Sequence, residues 1–324
     1  MPVFIVAVVL AAAAAVLPAQ TPVVAPVTVK DAQGRLVPGL EAADFRLLED
    51  GVEQKIASFS ADPAPLSAAV LLDAGISRAT AERLRETFPS LVEAFSEFDE
   101  AGIFTFLSGL RAAVDFTSDR ERLREGLRGL EIGADYTQAG DPLSQPVPRI
   151  NNWPVSGPPA GPARGAARAR GSRNIDGAVI EALRLLDGRP AWRRKIILLI
   201  SDGLKSQGQT ASSNDLYAAL RRSDVTVYSI GLDGAKLPRG SAALGRYAPP
   251  TGGELFTAVK AATIEPLYGR ITEQARYAYR LAYVPIRPAT VAPKPRAVEV
   301  RVKRSGLTVI ARDGYLPGAQ APAK

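Results

Sequence analysis

Two apolar runs in this chain of 324 residues end on an aspartate. In AAVLLDAGIS the run closes on Asp73, and the hydroxyl of Ser77 follows shortly after. In KIILLISDG it closes on Asp202. A further hydroxyl, Ser172, stands in the loop ahead of NIDGAVIEAL. Carboxylates and hydroxyls are hard oxygen donors, and such a set suits Mg²⁺ or Mn²⁺ better than zinc. Histidine and cysteine are both absent. Zinc sites, Ser-His-Asp triads and most general acid–base pairs rely on imidazole, and thiolate chemistry has no residue to carry it. No phosphate loop appears, and no second acid is placed by spacing. The chemistry left is binding, not catalysis.

These residues need a scaffold that delivers strand ends to one place. AAVLLD, AGIFTFL, KIILLISDG and VTVYSIGL are short and almost wholly apolar, as strands covered on both faces are. Helical spacing recurs between them: Leu84, Phe88, Leu91, Phe95 and Phe98 in one segment, Leu123, Leu127 and Leu130 in a second. Ile175, Val179, Ala182 and Leu186 line a third, and IEPLYGRITEQA reads as a last helix with Pro266 near its first turn. RAAVDF reads as an edge strand beside AGIFTFL. Strands alternating with amphipathic helices predict an open α/β sheet with helices on both faces, and loops at the strand C-termini meet where the strand order reverses.

The organisation follows from changes in texture. Residues 1–19 carry no charge and end in small residues, which reads as a secretory signal cleaved near Ala19; an uncleaved envelope anchor is the alternative. Residues 20–64 form a β-rich unit with a hairpin about Asp50-Gly51. The α/β domain spans 65–276, C-terminal strands occupy 277–318, and 319–324 is a tail. Val298, Val300 and Val302 alternate with Glu299, Arg301 and Lys303, the pattern of a half-exposed antiparallel sheet that can join the N-terminal strands. A Pro/Gly/Arg-rich insertion, 133–171, interrupts the domain. It reads either as a partner-reading lip with Asn151, Asn152 and Trp153 at its tip or as a basic spacer.

The net charge is +7, with arginines clustered at 164–173 and 189–194. Aromatic residues do not interleave with them as a nucleic-acid stacking platform requires, so they read as solvated loop charge.

The order strand–Asp73-x-x-x-Ser77–helix, a hydroxyl loop before IDGAVIEAL, and LLISDG resembles a von Willebrand factor A-type (VWFA) domain. The flanks, VTVKDAQGRLVPGLEAADFRLLEDGVEQKIASF and YRLAYVP with VEVRVKRSGLTVIARDGYLP, are similar to the VWFA-related acidobacterial family of exported proteins. The resemblance implies a Rossmann-like open sheet and a metal-ion-dependent adhesion site made of Asp73, Ser77, Ser172 and Asp202. Gly75 stands where that family's motif has its first serine. The resemblance therefore implies an exported, non-enzymatic adhesion-type protein that binds a protein or acidic glycan, through Mg²⁺ or Mn²⁺ in a degenerate site. Its alternative is a metal-free scaffold at the cell envelope with a vestigial site.

Overall fold

The computed structural model describes residues 22–133, 149–150, 153–154, 173–204, 213–233, 238–258, 260–287 and 294–318. The chain opens with β1 (Val23–Lys30), β2 (Phe45–Glu49), β3 (Val52–Gln54) and β4 (Ile56–Ser60). β2 and β3 form the expected hairpin, closed by Asp50 and Gly51 with φ of 47° and 81°. Positive φ at both central residues matches the right-handed twist of the paired strands, and only Gly, Asn or Asp adopt it cheaply.

The α/β core follows: β5 (Leu66–Asp73), α1 (Arg78–Glu86), α2 (Phe88–Glu93), β6 (Glu100–Phe106), β7 (Leu110–Thr117) and α3 (Arg120–Arg128). A two-residue hairpin, β8 (Arg149–Ile150) with β9 (Trp153–Pro154), lies within the insertion. Then come α4 (Ile175–Asp187), β10 (Arg194–Ser201), α5 (Ser213–Arg222), β11 (Thr226–Gly231), α6 (Pro238–Gly245), α7 (Ala248–Thr251), β12 (Leu255–Thr257) and α8 (Ala261–Tyr277).

Six strands make one sheet in the order β12-β11-β10-β5-β6-β7, parallel except for β7, which runs antiparallel at the edge. This is the doubly wound, Rossmann-like open sheet, and its strand order reverses between β5 and β10. Both of those strands are buried along their whole length. Their side chains alternate between two cores: Val70, Leu72, Ile196 and Leu198 pack under α1, α2, α3 and α8, whereas Ala69, Leu71, Ile197 and Leu199 pack under α4 and α5. A strand with helices on both faces has no polar side to show, which is why these runs read as unbroken apolar sequence.

Two expectations need correcting. The segment from Leu84 to Phe98 is not one amphipathic helix. It breaks between α1 and α2 at Thr87, where Pro89 opens the second helix, and Phe98 lies beyond both at 66% exposure. Helical spacing continues across a break that proline makes favourable. Pro266 sits inside α8, past its first turn, because the helix starts at Ala261.

The C-terminal strands are β13 (Tyr279–Tyr283), β14 (Arg296–Val302), β15 (Thr308–Ala311) and β16 (Gly314–Tyr315). They do not stand apart. β1 pairs with β13 and β15, and β2 pairs with β14, giving two four-stranded sheets, β15-β1-β13-β4 and β16-β14-β2-β3. Val27, Val29, Phe45, Leu47, Leu281, Val298 and Val300 fill the space between them. Phe45, Phe59 and Tyr279 meet there with ring centroids 5.3–5.8 Å apart. Both ends of the chain thus build one β flank. Residues 1–19, Asn151, Asn152 and Ser172 lie outside the described residues, as do the side chains of β8 and β9. Among the described residues, no helix is long and apolar enough to cross a membrane.

Candidate functional site: an arginine between two strand-end aspartates

Asp73 ends β5 and Asp202 follows β10, so the sheet brings both carboxylates to the crevice where strand order reverses. Asp73 is fully buried. Its Oδ1 accepts from the backbone N–H of Gly75 at 2.9 Å, and its Oδ2 accepts from the hydroxyl of Ser201 at 2.6 Å. The Ser201 hydroxyl in turn accepts from the N–H of Gly203 at 3.0 Å. Burial pushes the Asp73 carboxyl up to about 6; Arg173 and the Ser201 hydrogen bond hold it from rising further.

Arg173 enters this crevice from the residue before the N-cap of α4. Its Nη1 donates to both carboxylate oxygens of Asp202, at 2.7 and 2.9 Å, and lies 3.9 Å from Oδ2 of Asp73. Its Nη2 donates to the carbonyl of Gly75. Asp202 also accepts from the N–H of Leu204 at 2.9 Å. One guanidinium therefore holds the loop after β5 and the loop after β10 together. Its planar fork of donors suits such bridging better than the point charge of a lysine.

Gly75 is shaped by this contact. A Cβ at position 75 would stand inside van der Waals contact with Nε of Arg173 and 3.1 Å from its Cδ. The glycine that breaks the resemblance is the residue that lets the arginine in.

Ser77 is turned elsewhere. Its hydroxyl caps α1, accepting from the N–H of Thr80 at 3.2 Å and sharing a 2.8 Å hydrogen bond with the Thr80 hydroxyl. Among the described residues no hydrogen bond joins Ser77 to Asp73 or Asp202. A third strand-end carboxylate, Asp233 beyond β11, accepts from the Thr80 hydroxyl at 2.9 Å and from Arg83. Asp233 follows an apolar strand as Asp73 and Asp202 do, and that signal was available in VTVYSIGLDG. Arg173 carried no such signal beyond its place next to Ser172.

In this arrangement the described members of the set, Asp73, Ser77 and Asp202, do not fit a divalent cation. Magnesium demands about six oxygens in near-ideal octahedral geometry. Here both oxygens of Asp73 and both of Asp202 are hydrogen-bonded, the Ser77 hydroxyl is spent on a helix end, and a positive charge already lies between the carboxylates. Among the described residues no group of three or more acidic, histidine or cysteine side chains is placed to hold a metal.

Sheet order, the antiparallel edge strand and the strand-end aspartates give the chain a von Willebrand factor A-like fold. No protein-family model and no curated protein matches the sequence. Among solved structures, a von Willebrand factor type A protein from Catenulispora acidiphila is similar over 91% of this chain and 75% of its own, at 11% identity and a TM-score of 0.48. Proximal thread matrix protein 1 from the mussel byssus is similar over 67% of this chain, at 16% identity and a TM-score of 0.45. The chain spans about half the length of that mussel protein, 49%. BatB from Bacteroides thetaiotaomicron is similar over 65% of this chain and 98% of its own, at 13% identity and a TM-score of 0.43.

Proposed function

We propose that this chain is an exported, non-enzymatic binding module that works without a metal, in which Arg173 supplies from within the chain the positive charge that A-type adhesion sites take from a bound cation. The observation that carries this reading is the hold of Arg173 on Asp202, with Nη1 shared between both carboxylate oxygens, continued through Nη2 to the Gly75 carbonyl. A face built this way keeps its two loops tied without depending on cation supply. Its partner is a protein or an acidic glycan, in keeping with the positive balance of the chain. The flanks that resemble the VWFA-related acidobacterial family support a place at the cell envelope, where the β flank would serve as an assembly element. The domain limits suggested by texture, 20–64, 65–276 and 277–318, belong to the same reading, with the first and last acting as one unit.

The competing reading places Mg²⁺ or Mn²⁺ among Asp73, Ser77, Ser172 and Asp202, and it requires Arg173 to swing out. Titration calorimetry and thermal unfolding with each metal up to millimolar concentration separate the two. No heat and no shift in Tm are expected. A saturable stabilisation by either metal would overturn the metal-free reading.

A further inference from the structure

We infer that the junction between the β flank and the α/β core is a binding site for a free tetrahedral oxyanion of the phosphate or sulfate type. A cavity of about 50 Å³ lies there, lined from the core by Arg194, Lys195 and Thr226, and from the flank by Thr28, Arg280 and Arg312. That space exceeds the roughly 10–15 Å³ one water needs, and matches a small ion better than an organic ligand.

The charges around it do not balance. Arg193, Arg194, Lys195, Arg280 and Arg312 all line the cavity, and the one carboxylate among the lining residues is Asp224. Asp224 is engaged by Lys195 at 3.3 Å. Arg194 is 8% exposed and Arg312 is 3% exposed. Among the described residues neither has a carboxylate within ion-pair distance. Arg194 donates from Nη2 to the carbonyl of Asp62 at 3.0 Å, and its Nε has no hydrogen-bond partner. Arg312 spends two donors on carbonyls, Gly314 at 3.0 Å and Arg221 at 3.1 Å. Carbonyls satisfy N–H groups but do not neutralise a charge.

Four other arginines, Arg120, Arg221, Arg246 and Arg276, also have a buried Nε without a partner. Each of those is paired with a carboxylate, from Glu93, Asp313, Asp176 and Asp99 respectively. Arg194 is the exception: among the described residues it has no ion pair, and the charge that acts on it most is a like one, Arg280. Burial and the Arg280 guanidinium push it down to about 10. Buried charges in proteins are paired, and an uncompensated one is costly. An oxyanion among Arg194, Arg280 and Arg312 removes that cost. It would also tie the strand carrying Arg280 to the strand carrying Arg194, fastening the flank to the core.

The test uses the full chain in sodium phosphate, sodium sulfate or sodium chloride at matched ionic strength. Phosphate is expected to raise Tm by about 3 °C, saturating in the low millimolar range, with heat in a calorimetric titration. Arg194→Met keeps the bulk and removes the charge, and it should abolish the saturable rise. Arg280→Gln, at a half-buried position, should weaken phosphate binding at least tenfold and serves if Arg194→Met does not fold. Sulfate also stabilises proteins generally by exclusion from their surface, an effect that does not saturate and is shared by every variant. A rise of that kind alone, equal in wild type and variants, overturns the site, as does no rise. Glycerol phosphate binding as tightly as inorganic phosphate would overturn the assignment to a free ion. Metal titrations leave this outcome untouched, so it stands or falls apart from the reading of the Arg173 site.

Discussion

Arg173 and Gly75 are complementary: the guanidinium donates to the Gly75 carbonyl, and its Nε fills the space that a side chain at position 75 would need. The glycine and the arginine are parts of one device. Separately each departs from the metal-binding loop that the resemblance implies; in the proposed reading they stand in for it together.

Gly75→Ser should therefore lower stability, by about 1–3 kcal/mol as for overpacking at a tight site. Were Gly75 only a lost ligand, serine would be harmless or helpful there. The contact also predicts that the cost falls away once Arg173 is shortened. In a double-mutant cycle, Gly75→Ser with Arg173→Ala should show a coupling of about 1 kcal/mol or more. Chemical denaturation of the four proteins measures it, and strictly additive losses would remove the device.

Arg173→Ala alone leaves Asp73 and Asp202 facing each other without their cation. Removing one partner of a buried pair costs about 3–5 kcal/mol, and the fifth of this side chain that stays exposed brings the expectation to about 2 kcal/mol. The variant should also show what is not expected of the wild type, a rise in Tm with millimolar Mg²⁺ or Mn²⁺. A variant as indifferent to metal as the wild type would show that the carboxylates alone cannot recruit a cation.

The sheet was legible in the sequence because fully buried strands write themselves as unbroken apolar runs, and AAVLLD and KIILLIS are such runs. The positions of Asp73 and Asp202 followed from the same fact, since a polar residue can stand only where the strand leaves the core. The partner between them was not legible. Arg173 sits in an arginine-rich stretch where composition suggests solvated charge, and nothing in its neighbours marks it as turning inward. Ser77 shows a different ambiguity: a serine before a helix serves a ligand and an N-cap equally well in sequence, and only the hydrogen bond to Thr80 N decides. Phe98 fits the helical spacing yet lies outside, because periodicity cannot register the break at Thr87.

The burial of Asp73 sets a pH dependence. Its carboxyl is raised from 3.8 to about 6, so the folded protein keeps this proton over a range where the unfolded chain has lost it. The contribution to stability is full below about pH 4 and is lost as pH rises through 6. Asp73→Asn cannot ionise. Between pH 4 and 7 the wild type should lose stability relative to that variant by on the order of 3 kcal/mol. Groups such as Glu100, held below the usual range by Arg189, cancel in the difference. Unfolding of both proteins at each pH gives the curve; a flat difference would mean that water reaches Asp73.

One buried carboxylate joins the two sheets of the β flank. Glu49, on β2, is 1% exposed. Its Oε1 accepts from Nη1 of Arg296 at 2.9 Å, and its Oε2 accepts from the hydroxyls of Tyr283 and Tyr315, each at 2.9 Å. Tyr283 belongs to the sheet opposite β2, whereas Arg296 and Tyr315 belong to its own, so a single carboxylate joins both layers of the flank. Burial and the adjacent carboxylate push both phenols up, which keeps them as donors across the whole working range of pH. Glu49→Ala removes the shared acceptor and leaves the Arg296 charge and both hydroxyls facing a void, so a loss of about 3–5 kcal/mol is expected. Glu49→Gln keeps the shape and one carbonyl acceptor, but puts an N–H₂ group where an oxygen accepted. It should fall between wild type and Glu49→Ala. Because β1, β13 and β15 bring both chain ends into this flank, the loss should appear in the main unfolding transition and not in a separate early one. Denaturation followed by tyrosine and tryptophan signals tests both points: a loss under about 1 kcal/mol for Glu49→Ala, or two separated transitions, would mean that the sheets are held by Phe45, Leu47 and Val298 packing alone.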